Sequence, residues 1–154
     1  MWDAKSQCNG VARKVSSAGN LHSSGIFSLH YQQGKVATGS KDKSICLSEL
    51  DTDIKAVSSN EEAHSSVVKC VRFRPDNNSI VASVGNDSRL AISDFRESHA
   101  TSASMNIEHL HNESAVNSVN WHPTKLNMLM TAGFDTTIQI HDLRNTAEPC
   151  LVLN

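Results

Sequence analysis

The chain has 154 residues, of which 38% are hydrophobic and 19% charged, with a net charge of −2 and a pI near 6.4. That composition is globular, sized for one ordinary domain and too apolar for intrinsic disorder. The slight acidity leaves no electrostatic footprint for nucleic acid or an anionic membrane, and no apolar run approaches the roughly 20 residues a bilayer crossing needs.

The opening MWDAKSQCNG holds no apolar core segment, so no secretion signal is expected in it. Cys8, Cys46, Cys70 and Cys150 are widely spaced and form no CxxC pair, so neither a metal site nor a redox pair is expected. Unpaired cysteines without a signal fit a reducing compartment, nucleus or cytoplasm. From Leu21 onward the elements come in three similar sets. LHSSGIFSLHY (Leu21) precedes ATGSKDKSICLSEL (Ala37). AHSSVVKCVRF (Ala63) precedes ASVGNDSRLAISDFR (Ala82). LHNESAVNSVNW (Leu110) precedes MTAGFDTTIQIHDLR (Met130). Asp42, Asp87 and Asp135 align at steps of 45 and 48 residues, and so do Ile45, Leu90 and Ile138. His22, His64 and His111 align upstream, the third copy carrying one extra residue.

Within each unit the pattern is that of short strands. VVKCVRF is β-branched and aromatic, RPDNN reads as a turn, SIVAS as a strand, VGND as a tight turn and RLAIS as the next strand. TIQIH alternates with period two, and no stretch has helical periodicity. Three short strands and a less regular fourth, repeating near 45 residues, predict propeller blades. The fold class expected is all-β: a partial propeller of about three four-stranded blades plus a remnant of a preceding one. Repeats are expected over residues 21–60, 61–108 and 109–154, with residues 1–20 holding the end of a truncated repeat, Trp2-Asp3, and a linker. EPCLVLN reads as the outer strand of the third blade, and both terminal blade faces are expected to be apolar and open. A fragment of a longer protein is the favoured account, ahead of a ring shared by two copies or completed by a partner.

The recurring His, the G-x-D turn and an x-Asp near the third strand resemble the WD-repeat family. The family's Trp is replaced by Ser48, Ser93 and His141, with Glu49, Asp94 and Asp142 following. The resemblance implies a buried hydrogen-bond network in each blade: His22, Thr38 and Asp42; His64, Ser83 and Asp87; His111, Thr131 and Asp135, with His141 able to complete the third. A Ser-His-Asp hydrolase would present such a set once, so its recurrence favours a structural role, and no catalytic residue, cofactor or metal is expected. Ser48 and Ser93 leave an indole's volume to be filled by neighbours. Tyr31, Phe73 and Trp121 are expected to pack between blades, with Ser28, Cys70 and Ser118 relieving crowding.

Function is therefore expected in protein binding. The resemblance implies that Lys41, Asn86 and Phe134, each just before the turn Asp, lie exposed at a partner-binding rim; Phe134 is a candidate hot spot. SDFR and HDLR end two repeats with Asp94-x-Arg96 and Asp142-x-Arg144, and Leu129–Arg144 resembles the sixteen-residue box of substrate receptors for cullin–RING ubiquitin ligases. That resemblance implies that Arg96 and Arg144 contact the ligase's damaged-DNA-binding adaptor, against a local role in pairing with Asp94 and Asp142. The first repeat, LSELD, has no such Arg. The alternative is a chromatin- or nucleic-acid-associated subunit, with Lys69, Arg72, Arg74 and Arg89 clustered in the second repeat.

Overall fold

A computed structural model describes residues 21–51, 54–96 and 104–154. The β-branched and alternating segments form strands, joined by hairpins short enough to pair consecutive strands. The first four are β1 (Ile26–Gln32), β2 (Lys35–Ser40), β3 (Ile45–Leu50) and β4 (Ile54–Asn60). The next are β5 (Val68–Arg74), β6 (Asn77–Gly85), β7 (Leu90–Asp94) and β8 (Met105–Ile107). The last are β9 (Val116–Trp121), β10 (Met128–Gly133), β11 (Ile138–Asp142) and β12 (Leu151–Leu153). Each group of four pairs antiparallel in chain order, giving three four-stranded blades. Among the described residues there is no α-helix, only a short 3-10 turn at Leu110–Glu113, and so none long and apolar enough to cross a membrane. Trp2-Asp3 and Cys8 lie outside the described residues.

The turn expected over RPDNN is narrower than its composition suggests. Asn77 already pairs with Arg74, leaving Pro75 and Asp76 as the link, and the Asn77 Oδ1 accepts from the Ser79 amide two residues on at 2.8 Å. The strand beginning there also runs to Gly85.

The core lies between blades. Ala37, Ile45 and Leu47 of the first blade meet Val68, Val71 and Phe73 of the second. Ala82, Leu90 and Ile92 of the second meet Val119, Trp121 and Leu129 of the third. Gly39 marks the closest approach: a Cβ there would stand 2.6 Å from Val68 Cγ1 and 2.9 Å from Val71 Cγ1. Phe73 and Trp121 are thus interblade core, while Tyr31, their counterpart, is 54% exposed because no described residues cover that face of the first blade. Phe27 and Leu29 share its exposure, as do Met130 and Ile138 on the far face of the third blade.

β1, β5 and β9 are each the edge of their own sheet, and an edge strand carries unpaired backbone groups. Side chains of the neighbouring blade bond to β5. Val71 N–H donates to Ser28 Oγ at 3.1 Å, Phe73 N–H to His30 Nδ1 at 3.0 Å, and Gln32 Nε2 to the Arg74 carbonyl at 3.0 Å. On the other side Trp121 Nε1 donates to the Arg72 carbonyl at 3.1 Å. Ser28 therefore does more than relieve crowding. Cys70 Sγ faces the Val119 carbonyl, and Ser118 is exposed.

Candidate functional site

The recurring polar residues meet around each β2–β3-type turn. In the second blade His64 Nδ1 lies 2.9 Å from Asp87 Oδ1 and His64 Nε2 lies 2.8 Å from Ser83 Oγ. In the first, His22 Nδ1 lies 3.2 Å from the Asp42 carboxylate and 2.8 Å from Ser44 Oγ, with Nε2 2.8 Å from Thr38 Oγ1. A carboxylate only accepts, so each Nδ1 carries a proton; in the neutral ring Nε2 then accepts from the hydroxyl.

The third blade extends the chain by one link. His111 Nδ1 lies 2.7 Å from Asp135 Oδ1, His111 Nε2 lies 2.8 Å from Thr131 Oγ1, and Thr131 Oγ1 lies 2.9 Å from His141 Nε2. Thr131 has one proton to give. With His111 neutral it donates to His111 Nε2 and accepts from His141 Nε2–H, which sets the His141 tautomer. Burial first, then the neighbouring His111, pushes the His141 pKa down to about 4, so this imidazole is neutral near pH 7.

The turn aspartates stay ionised. Burial raises the pKa of Asp42, Asp87 and Asp135, but hydrogen bonds outweigh it and hold each below the usual carboxylate range. Among those bonds are the amides of Ser44, Arg89 and Thr137, two residues on, at 3.1, 3.4 and 3.1 Å. These Asx turns hold Lys43, Ser88 and Thr136 at φ 77°, 55° and 66°, left-handed positions with no glycine to announce them. The arrangement is a structural clamp. Cys46 Sγ is 3.9 Å from His22 Nδ1, yet burial, with the Asp42 charge, pushes its thiol up to about 11, which keeps it from acting as a nucleophile.

The missing indoles have different replacements. Asn60, fully buried at the end of β4, reaches across the blade boundary and donates from Nδ2 to Ser93 Oγ at 3.1 Å. Ser48 Oγ, also buried, has no hydrogen-bond partner among the described residues. The sequence flagged the two small residues but not Asn60, whose only signal is a polar residue at the end of a strand.

The exposed turn residues share one geometry. The amides of Lys41, Asn86 and Phe134 donate to the carbonyls of Gly25, Val67 and Ala115 at 2.8, 3.0 and 2.9 Å. This fixes all three at the same end of successive blades. Phe134 is 70% exposed and does not fold over a neighbouring loop. Elsewhere, Arg96 and Arg144 fold onto their own repeats. Arg96 Nε donates to Asp94 Oδ1 and Arg144 Nε to Asp142 Oδ1, both at 2.9 Å, and each guanidinium makes a second contact through Nη2. Those bonds hold Asp94 low and Asp142 at about 2. Of the basic cluster, Arg74 pairs with Asp76, Arg89 with Glu108, and Lys69 lies over the Phe27 ring.

The family profile described as "WD domain, G-beta repeat" matches residues 56–94 and 104–142, just over half the chain. The chain is 29% identical over 138 residues to the WD-40 repeat-containing protein MSI3 of Arabidopsis thaliana, covering 84% of this chain and 30% of that protein. It is 24% identical over 147 residues to histone acetyltransferase type B subunit 2 of Candida glabrata, covering 92% of this chain and 33% of the relative. Over 80 residues, 49% of this chain and 18% of the relative, it is 36% identical to the subunit of that name from Aspergillus fumigatus. The chain spans about a third or less of the length of these relatives.

Proposed function

The chain belongs to the WD40 repeat family, and from that premise we propose that it is a non-catalytic scaffold that binds histones within a chromatin-associated complex. The observation that carries this reading is the alignment, along 92% of the chain, with a relative named as a histone acetyltransferase subunit. The rim of Lys41, Asn86 and Phe134 is the binding surface in this reading. Its aromatic offers a large contact area, and the rigid turns beneath it cost little ordering. A histone-binding scaffold acts in the nucleus or the cytoplasm, the compartments the sequence leaves open.

The ligase-receptor reading has less behind it. None of the three relatives above is named as a ligase component, and Arg96 and Arg144 are already engaged by Asp94 and Asp142. The test is capture of purified core histones on the immobilised full chain, in parallel with the ligase adaptor. Histone capture weakened about tenfold by Phe134→Ala supports the proposal, that loss lying within the usual range for a hot-spot residue. Capture of the adaptor alone, abolished in the Arg96→Ala/Arg144→Ala variant, would sink it and restore the receptor reading.

A further inference from the structure

A repeat protein carries its own control. A side chain demanded by the fold recurs in each blade, and one present once needs another reason. Gln139 is present once. It pairs across the sheet with Thr131, where Cys46 pairs with Thr38 and Ala91 with Ser83. It is 8% exposed, and its amide has no hydrogen-bond partner among the described residues. The residue is buried but its amide opens onto a cleft: among the described residues the one sealed side-chain polar atom without a partner is Ser48 Oγ, so the Gln139 amide is left available to a ligand.

Gln139 lines a cleft of about 320 Å3 between the second and third blades. Ile107 of β8 and Val152 of β12 give it apolar walls, and Glu108 and Glu148 add carboxylates. Glu108 is held by Arg89 at 3.0 Å, whereas Glu148 has no ion pair among the described residues. A second departure from the repeat borders the same cleft. The extra residue of the third copy is taken up in a left-handed run, with His109, His111, Asn112 and Glu113 at φ 59°, 52°, 53° and 62°. Backbone of this kind is strained for residues other than glycine and persists where the surroundings require it.

We propose that this cleft receives one long cationic side chain, lysine or arginine, from an extended basic segment of the partner. The aliphatic stem lies against Ile107 and Val152, and the charged head is shared between Glu148 and the Gln139 carbonyl oxygen. Charge complementarity selects the occupant, and Gln139 supplies the acceptor that carboxylates at the mouth cannot place inside. The inference deepens the histone reading and takes its partner from it.

The test uses the full chain and nonapeptides of glycine, alanine and serine with one central lysine, arginine, norleucine or glutamate, followed by saturation-transfer NMR. The lysine or arginine peptide is expected to bind, and the norleucine and glutamate peptides are not. Gln139→Ala, which installs the residue of the second blade, is expected to weaken binding about tenfold, the scale of a hydrogen bond to a charged group. Glu148→Gln, on an exposed segment, is expected to weaken it about threefold and flatten its salt dependence. Equal binding of the norleucine peptide, or unchanged binding by both variants, overturns the proposal. Whole histones captured equally well by Gln139→Ala would overturn it while leaving the histone reading intact. Selective lysine binding without histone capture would support the cleft and sink the histone reading instead.

Discussion

Thr131→Val removes one hydroxyl from the centre of the third blade and keeps the shape of the side chain. It strands two buried groups at once, the His141 Nε2–H at 2.9 Å and the His111 Nε2 at 2.8 Å. Each unsatisfied buried group costs about 1–3 kcal/mol, so the substitution costs about 2–6 kcal/mol, a large share of a domain's ~5–15 kcal/mol. Ser83→Ala is the internal reference. It strands one imidazole nitrogen, that of His64, and costs about 1–3 kcal/mol. Urea unfolding read by Trp121 emission measures both, in a Trp2→Phe background so that one indole reports. Trp121 is a direct probe, because its indole is buried between the second and third blades. The decisive comparison is a double-mutant cycle with His141→Phe, which keeps a ring and removes the donor. A coupling energy of about 1 kcal/mol or more is expected. Coupling near zero would show that His141 and Thr131 do not share a bond and would refute the extended network.

Stability is expected to fall with acidification in a window set by His141. Its folded pKa of about 4 lies below the ordinary 6.5, so the unfolded chain takes up the proton first. Above pH 6.5 the group is neutral in both states; between pH 6.5 and 4 stability drops, by up to about 3 kcal/mol, and then levels. Urea midpoints at pH 7 and pH 5 should differ less in His141→Phe than in the unaltered chain. Ser48→Ala is expected to be neutral or stabilising by up to about 1 kcal/mol, since it removes a buried hydroxyl that has no partner among the described residues. Ser93→Ala strands the Asn60 amide and is expected to cost about 1–3 kcal/mol, so equal effects of the two in thermal unfolding would contradict the assignment. Gly39→Ala drives a methyl into Val68 and Val71, and a loss of about 1–3 kcal/mol is expected; calorimetry showing no loss would mean that the first two blades are less closely packed than the structure shows.

Much of this fold is readable in the sequence because each element is written three times. The aspartate steps and the alternation in TIQIH specify blades, and the His–hydroxyl–Asp sets come together as expected. What the sequence conceals lies where one blade meets another or where a local rule is broken. Asn60 reads as an ordinary strand-end polar residue until the space left by Ser93 is seen in three dimensions. Lys43, Ser88 and Thr136 adopt left-handed backbone because aspartate side chains hold the turns, a cause that leaves no glycine in the sequence. Gln139 looks like the polar half of an alternating strand, since alternation tells which face a residue takes and not whether its amide finds a partner. Tyr31 matches Phe73 and Trp121 in register, yet burial of a periodic residue depends on the blade beside it.

The bonds from Ser28 and His30 to the amides of Val71 and Phe73 make the first blade's seating visible at two atoms. While that blade is docked, side chains hold these two protons away from water. When it lifts, both are released together, though the β5–β6 ladder stays intact behind them. Their hydrogen-exchange rates therefore time the opening of one blade boundary separately from unfolding of the blade itself, a clock for the joint alone.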